Sequence, residues 1–302
     1  MKWGVARGIG LALAVGFGVA VWADEAYRAE VQKWRDGREA RLKADGGWLT
    51  VAGLFWLKEG ANRFGTDPAA EIALPAGSAP ARAGVFEYRD GRTTLRLEPG
   101  VVGQIAGRPV TAPTLLRTDE AGSPDVLELG LLSMHVIRRG ARDGIRLKDK
   151  NAEARRDFSG LHWFAVDEQY RVTARWVAYP LPKPLKVPNV LGDSETMPSP
   201  GYAEFSLRGK AMRLDGVIEE PRSVELFFII RDLTSGKETY PAGRFLYSDL
   251  PKEGKVLLDF NKAYNPPCAF TAYATCPLPP PQNWMPVRVE AGEMAYGKGP
   301  AH

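Results

Sequence analysis

With two cysteines and three histidines in 302 residues, the chain is poor in the side chains that ordinary zinc centres consume. A four-cysteine zinc site is excluded on numbers, and a three-histidine one would consume every histidine in the chain, so neither is expected. An excess of one charge is lacking too: 40 Lys and Arg stand against 36 Asp and Glu, a net charge of +4. No Lys/Arg block concentrates that excess, so nothing in the charge points to nucleic acid. Signature motifs are missing as well. There is no G-x-S-x-G or S-x-x-K serine-nucleophile pattern, no Walker A loop or H-E-x-x-H, and no D-x-D-x-D-G calcium loop. Of the short G-x-G matches, Gly8-Ile9-Gly10 and Gly16-Phe17-Gly18 lie in a leader-like segment and Gly297-Lys298-Gly299 in the tail, so none marks a nucleotide site. No cofactor and no metal are expected.

What is present is apolar content for a core (44%), and 32 Gly with 24 Pro. That is turn-rich, which argues against a helix bundle, yet below the low-complexity range. The length admits one large or two modest domains. Lys2 and Arg7 precede an uncharged stretch, 8–21, and Val21-Trp22-Ala23 puts small residues at −3 and −1 of a cleavage after Ala23. The stretch is short against the about 20 residues of a membrane span, so a cleaved export signal is expected rather than an anchor. No cysteine stands at the cleavage point, which argues against a lipid-anchored form. The expected location is periplasmic or secreted, with no membrane span left after cleavage and disulfides permitted.

Along the remaining chain, 24–45 reads as a helix: Tyr27, Val31 and Trp34 recur at helical spacing with Leu42 beyond, charges fill the other faces, and Gly46-Gly47 stops it. The apolar run 48–57 reads as core, either a helical turn or a strand. After Gly60 the period drops to two. Asp90-Gly91 between alternating runs predicts a hairpin, and strands are expected at 100–110, 126–132, 134–138, 144–148 and 170–178. Gly140-Ala141-Arg142-Asp143 reads as a turn. Pro180, Pro182, Pro184 and Pro188 mark an extended crossing between sheets, and 192–200 an exposed loop. Strands resume at 202–207, 212–214, 224–231, 239–247, 255–260 and 287–290. The expected fold is mainly β: an N-terminal helix followed by antiparallel β-sandwich or barrel-like units. The division expected is 1–23 signal peptide, 24–60 helix and apolar segment, 61–140 smaller β unit, 141–296 larger β unit, and 297–302 tail. His135 reads as a side chain on one sheet face and His162 as part of an aromatic cluster with Trp163 and Phe164.

Gly47-Trp48-Leu49 with Gly53-Leu54-Phe55-Trp56-Leu57, then Ile145-Arg146-Leu147-Lys148-Asp149, then Gly236-Lys237-Glu238-Thr239-Tyr240 with Gly243-Arg244-Phe245-Leu246, and finally Asp259-Phe260-Asn261-Lys262-Ala263-Tyr264-Asn265-Pro266-Pro267-Cys268 resemble a bacterial and archaeal family, DUF1684. The resemblance covers nearly all of the chain after the leader and is most specific over 259–283. It implies one folded unit and no known reaction. Some members look cytosolic and still carry the paired cysteines.

The irregular stretch 259–283 is the type of segment that carries sites on a rigid scaffold. It is equally the type that caps the end of a sheet, with Asn side chains bonded to backbone. As a site, Arg146, Arg231 and Arg244 are the expected contacts of a small polar or anionic ligand, because guanidinium pairs bidentately with carboxylate or phosphate. Tyr240, Tyr264, Asn261 and Asn265 would orient it. As a hydrolase, Asp259 would be the acid/base with Asn261 or Arg244 on an oxyanion, and would need a second carboxylate such as Asp149 or Asp232. A third reading is an envelope interaction protein with the Pro-rich tail as docking surface. No nucleic-acid partner is expected, and nothing fixes an oligomeric state. Arg244, Asp259 and Asn265 are expected to converge on one cavity. Cys268 and Cys276 are expected to form a disulfide, worth about 2–3 kcal/mol in the chain-entropy account. A two-thiolate metal site competes, but it lacks close spacing and the histidines to complete four ligands.

Overall fold

The computed structural model describes residues 13–220 and 222–297. Lys2 and Arg7, which open the leader, lie outside the described residues. Helix α1 (Leu13–Lys43) buries Tyr27, Val31, Arg35, Arg38 and Leu42 along one stripe. The expectation that charge stays off this stripe is therefore wrong for two arginines. Each guanidinium lies over an aromatic ring, Arg35 over Trp163 at 4.8 Å and Arg38 over Tyr264 at 4.5 Å, and each donates to a backbone carbonyl, of Phe164 and Asn265 respectively. Stacked and hydrogen-bonded in this way, an arginine can occupy an apolar position. No helix of the described residues is long and apolar enough to cross a membrane.

A 3-10 turn (Trp48–Thr50) leads into β1 (Val51–Trp56), so the apolar run is turn and strand in succession. There follow β2 (Gly60–Gly65), β3 (Ile72–Ala73), β4 (Gly84–Arg89), β5 (Arg92–Leu97), β6 (Gln104–Ile105), β7 (Arg108–Pro109), β8 (Thr114–Leu116), β9 (Val126–Leu129), β10 (Leu132–Arg139) and β11 (Arg142–Asp149). The β4–β5 turn is the expected Asp90-Gly91, with φ of 50° and 71°. The stretch 100–110 is not one strand, because Ala106 and Gly107, both at positive φ, fold it back as β6 and β7. These strands make a five-stranded sheet, β3-β2-β4-β5-β8, and a six-stranded one, β1-β11-β10-β9-β6-β7. The two face each other across Phe64, Phe86, Leu95, Leu127, Met134, Val136, Ile145 and Leu147, the alternation of a sandwich. Position 140 falls in the β10–β11 turn, so the ladder runs across it.

After α2 (Glu153–Arg156) come β12 (Arg171–Pro188), β13 (Ser194–Leu207), β14 (Lys210–Gly216), β15 (Glu225–Ile230), β16 (Arg244–Asp249) and β17 (Lys255–Asp259). The Pro-rich passage and the expected loop at 192–200 instead pair with each other, Lys183 with Ser199 through Pro188 with Ser194. Proline is tolerated there because this end of the ribbon is largely exposed and the register is already interrupted between Ala178 and Lys183. The order is β14-β13-β12-β17, with β15-β16 a separate pair. None of the sheets described closes into a barrel. The β15–β16 hairpin is buried on both faces: Leu226, Phe228, Ile230 and Leu246 join the core under β12–β14 and β17, while Phe227, Ile229 and Phe245 pack with Leu42 of α1 and with Cys268, Phe270 and Cys276.

From Phe260 onward the chain is irregular but buried. The expected strand at 287–290 is a bonded coil, with Leu233 N–H donating to the Val287 carbonyl and Val289 N–H to the Asp232 carboxylate. Gly292 sits at φ +80°, where a Cβ would stand 2.4 Å from the Ala263 carbonyl oxygen; only glycine fits.

Arg244 anchors this coil. It is 1% exposed, paired with Asp232 at 2.7 Å, and donates to the carbonyls of Val289, at 3.0 Å, and Ala291. Removing one member of a buried pair strands the other charge. Arg244→Ala should therefore cost about 3–5 kcal/mol of stability, read from the urea midpoint. Adding Asp232→Asn should return part of it.

Candidate functional site

A groove of about 580 Å³ opens between α1 and the edge of β16 and β17. One wall is a single helix face, Glu30, Trp34, Arg38 and Arg41, at the spacing that lines residues up along a helix. The other carries Tyr247 and Asp249 from β16 and Leu257 and Asp259 from β17, with Lys262 and Tyr264 beyond. A second concavity, about 630 Å³ over the β4–β5 hairpin, is lined by Glu87, Arg89, Asp90, Arg92, Thr94 and Leu115. Its Glu87 and Arg89 pair with each other at the exposed strand end, and no buried group faces it.

At the base of the groove, Asp259 Oδ1 accepts from Tyr27 Oη at 2.7 Å and from the Asn261 amide at 3.2 Å. Oδ2 has no hydrogen bond and lies 3.5 Å from Lys262 Nζ. Burial and this carboxylate push the Tyr27 phenol far above its ordinary range. Lys262 also reaches Glu30 at 2.6 Å and holds that carboxyl below its usual value. Tyr247 and Tyr264 stack nearly parallel, 13° apart, and burial pushes the Tyr264 phenol up to about 12.

Arg38 joins the groove to the interior. Its Nη2 donates to the Asn265 carbonyl at 2.9 Å, and its Nε stands 3.5 Å from Glu293 Oε2. Glu293 is fully buried and neither oxygen has a hydrogen bond. Burial pushes its carboxyl up to about 7, against the opposing pull of Arg38 and Asn265.

The structure does not bring the expected site residues together. Asp259 and Tyr264 line the groove. Arg244 is spent on Asp232 and two carbonyls. Asn261 bonds both the N–H and the carbonyl of Asp167, at 3.0 and 2.8 Å, and Asn265 Nδ2 donates to the Met294 carbonyl at 2.7 Å. Tyr240 donates to the Cys268 carbonyl at 3.0 Å, and exposed Arg231 lies over Trp284. Arg146 projects from β11 on the far side from the sandwich core, over Trp48 at 5.0 Å. Arg38 and Trp34 were missed. Their signal was positional, since Arg38 falls between Val31 and Leu42 on the apolar stripe. The disulfide expectation is corrected: no bond joins Cys268 and Cys276. The Cys276 sulfur instead accepts the Cys268 amide N–H at 3.2 Å, an arrangement of hydrogen-bonded thiols.

A family model described as a protein of unknown function, DUF1684, matches residues 156–294. Among solved structures, the chain resembles an uncharacterized protein from gene locus rrnAC0354 of Haloarcula marismortui, solved by NMR in solution. The two share 33% identity over 46% of this chain and 78% of that one, with a TM-score of 0.40. No curated protein matches.

Two buried groups set opposite pH dependences. Glu293 keeps its proton to about 7 in the folded chain against an ordinary 4.5, so stability falls as pH rises through that window. His135, partly buried beside Lys148 and Arg146, is held down to about 4 from 6.5, so stability falls as pH drops through that one. Above pH 6.5 only the Glu293 effect remains of the two. In urea titrations, Glu293→Gln should gain on the parent by about 3 kcal/mol between pH 4 and pH 8. An equal offset at both pH values would contradict this.

Proposed function

The chain belongs to DUF1684, a family of proteins of unknown function, and we propose that this member binds a small polar ligand carrying an anionic group in the groove between α1 and β16–β17. The observation that carries this reading is Arg38. It is 7% exposed, stacked on Tyr264 and tied to the Asn265 carbonyl, so its fork is fixed before a ligand arrives. Its buried neighbour Glu293 holds a proton to about pH 7 and so leaves Arg38 incompletely neutralised. Arg41 stands one turn further on at the rim. Trp34, Tyr247 and Tyr264 supply apolar walls. Asp249, Asp259 and Glu225 on the opposite wall, with Glu30 further along the helix face, suit a ligand that also bears a donor or a positive group. The helpers that hydrolysis at Asp259 would need are engaged elsewhere, Arg244 with Asp232 and Asn261 with Asp167, which favours binding over catalysis.

Calorimetry with L-glutamate, succinate and inorganic phosphate tests this, alongside native mass spectrometry of whatever co-purifies. At least one of the three should bind. The exposed Arg41→Gln change should weaken it by about threefold to tenfold, and Arg38→Lys by more than about tenfold. No binding by any of them, or binding indifferent to both changes, would overturn the reading.

Export joins the same proposal. Cleavage after Ala23 would start the chain three residues before Tyr27, the α1 side chain that docks onto Asp259. N-terminal sequencing of exported protein should return Asp24; a sequence starting at Met1 is the contrary result.

A further inference from the structure

The outer face of the six-stranded sheet is covered by the 268–276 loop. Arg139 Nε on β10 donates to Thr275 Oγ1 at 3.0 Å, and Thr271 Oγ1 donates to the Val51 carbonyl at 3.3 Å. Beneath this lid lies Arg146, 5% exposed. Its Nε and Nη2 have no hydrogen-bond partner, and no carboxylate of the described residues forms a salt bridge with it. Burial and neighbouring Arg139 pull its guanidinium down to about 10, still charged at neutral pH. Asp119 acts on it from a distance but is itself paired with Arg139 at 2.8 Å, and a buried cation with no bonded anion is expensive. The nearby group on the loop is Cys276, with which Arg146 interacts electrostatically.

We propose that Cys268 and Cys276 form a two-coordinate site for a soft monovalent metal ion, Cu(I), with Arg146 balancing its charge. The two thiols are buried together and hydrogen-bonded to each other. Their backbones are pinned, Cys268 through its carbonyl to Tyr240 and Cys276 through its carbonyl to the Val190 amide. The Cys276 sulfur lies 3.2 Å from the Cys268 backbone nitrogen and accepts its N–H, so the fold holds the two thiols side by side. Among the described residues no three His, Cys, Asp or Glu side chains cluster as a metal site, so the four donors of zinc are not to be found. Cu(I), a filled-shell ion selected by soft thiolates, is satisfied by two.

The charges decide in the same direction. Cu(I) displaces one proton from each thiol, two metal–sulfur bonds form as two S–H bonds break, and no electron is transferred. The resulting bis-thiolate complex carries one negative charge, which Arg146 neutralises. A divalent ion on the same sulfurs would be neutral and would leave Arg146 unmatched.

The test uses the full chain, reduced and anaerobic, titrated with Cu(I) from its acetonitrile complex in competition with bathocuproine disulfonate. One copper per chain, two protons released, and two sulfur neighbours by X-ray absorption are expected. Cys268→Ser and Cys276→Ser should each abolish uptake. Arg146→Gln should keep the stoichiometry but weaken affinity by about tenfold, with Arg146→Lys recovering part. Failure to win copper from the competitor, uptake surviving Cys276→Ser, or a coordination shell without two sulfurs would overturn the site. Unchanged affinity in Arg146→Gln would overturn the charge balance. Circular dichroism checks that each variant folds. Where a cysteine variant does not, X-ray absorption of Ag(I) bound to the parent chain decides: two sulfur neighbours support the site and any other shell overturns it.

Discussion

Between Phe260 and Met294 the chain runs mostly buried without joining a sheet, and every peptide group it takes out of water needs a partner from somewhere else. Side chains supply many of them. Asn261 closes on both polar groups of Asp167, Asn283 on the N–H and carbonyl of Asp215 and on the Ile229 carbonyl, and Arg244 on the carbonyls of Val289 and Ala291. A few backbone exchanges finish the task, such as the reciprocal pair between Phe245 and Tyr264. The groove, the Arg38–Glu293 contact and the thiol pair all inherit their geometry from this coil. The polar residues that make the segment look like a reaction centre are largely what allows it to be inside.

The fold was legible where the determining forces are local. Asp90-Gly91 dictates its own turn, and the alternation of 171–178 needs no distant partner to be read. The Pro-rich ribbon was not legible, because its pairing partner was expected to be loop and a proline says only where a donor is missing. The segment 287–290 has the composition of a strand, yet its polar groups are taken up by Leu233, Asp232 and Arg244 instead. Arg244 and Arg38 mark the limit for sites. Sequence distinguishes neither a guanidinium saturated by carbonyls from one with a free edge, nor a charge on a solvent face from one stacked on a ring. Arg38 falls on the apolar stripe by its spacing, and the partners that make that position tolerable, the Tyr264 ring and the Asn265 carbonyl, lie more than 200 residues away.

The two regions of interest share one coil but differ in character. The groove is lined by both signs of charge and two stacked tyrosines, so its field depends on how those charges are arranged rather than on their sum. The thiol pair is walled by a sheet face bearing Arg139, Arg146 and Lys148, where positive charge dominates. Phe270 and Tyr264 lie between them, with Arg38 over both rings.

The bonds that dock α1 connect the two extremes of the described chain: Tyr27 to Asp259, Asn261 back to Tyr27, and Arg38 to Asn265. Helix α1 therefore completes its docking only when residues from 259 onward arrive. Until residues beyond 259 are available, Tyr27 and Arg38 lack their partners and the outer face of β15–β16 lacks its cover of Cys268, Phe270 and Cys276. Order of synthesis and order of assembly run opposite to each other here. With so much of its closure depending on distant contacts, the chain belongs among the slow folders, dependent during that interval on whatever keeps unfinished apolar surface from finding the wrong partner.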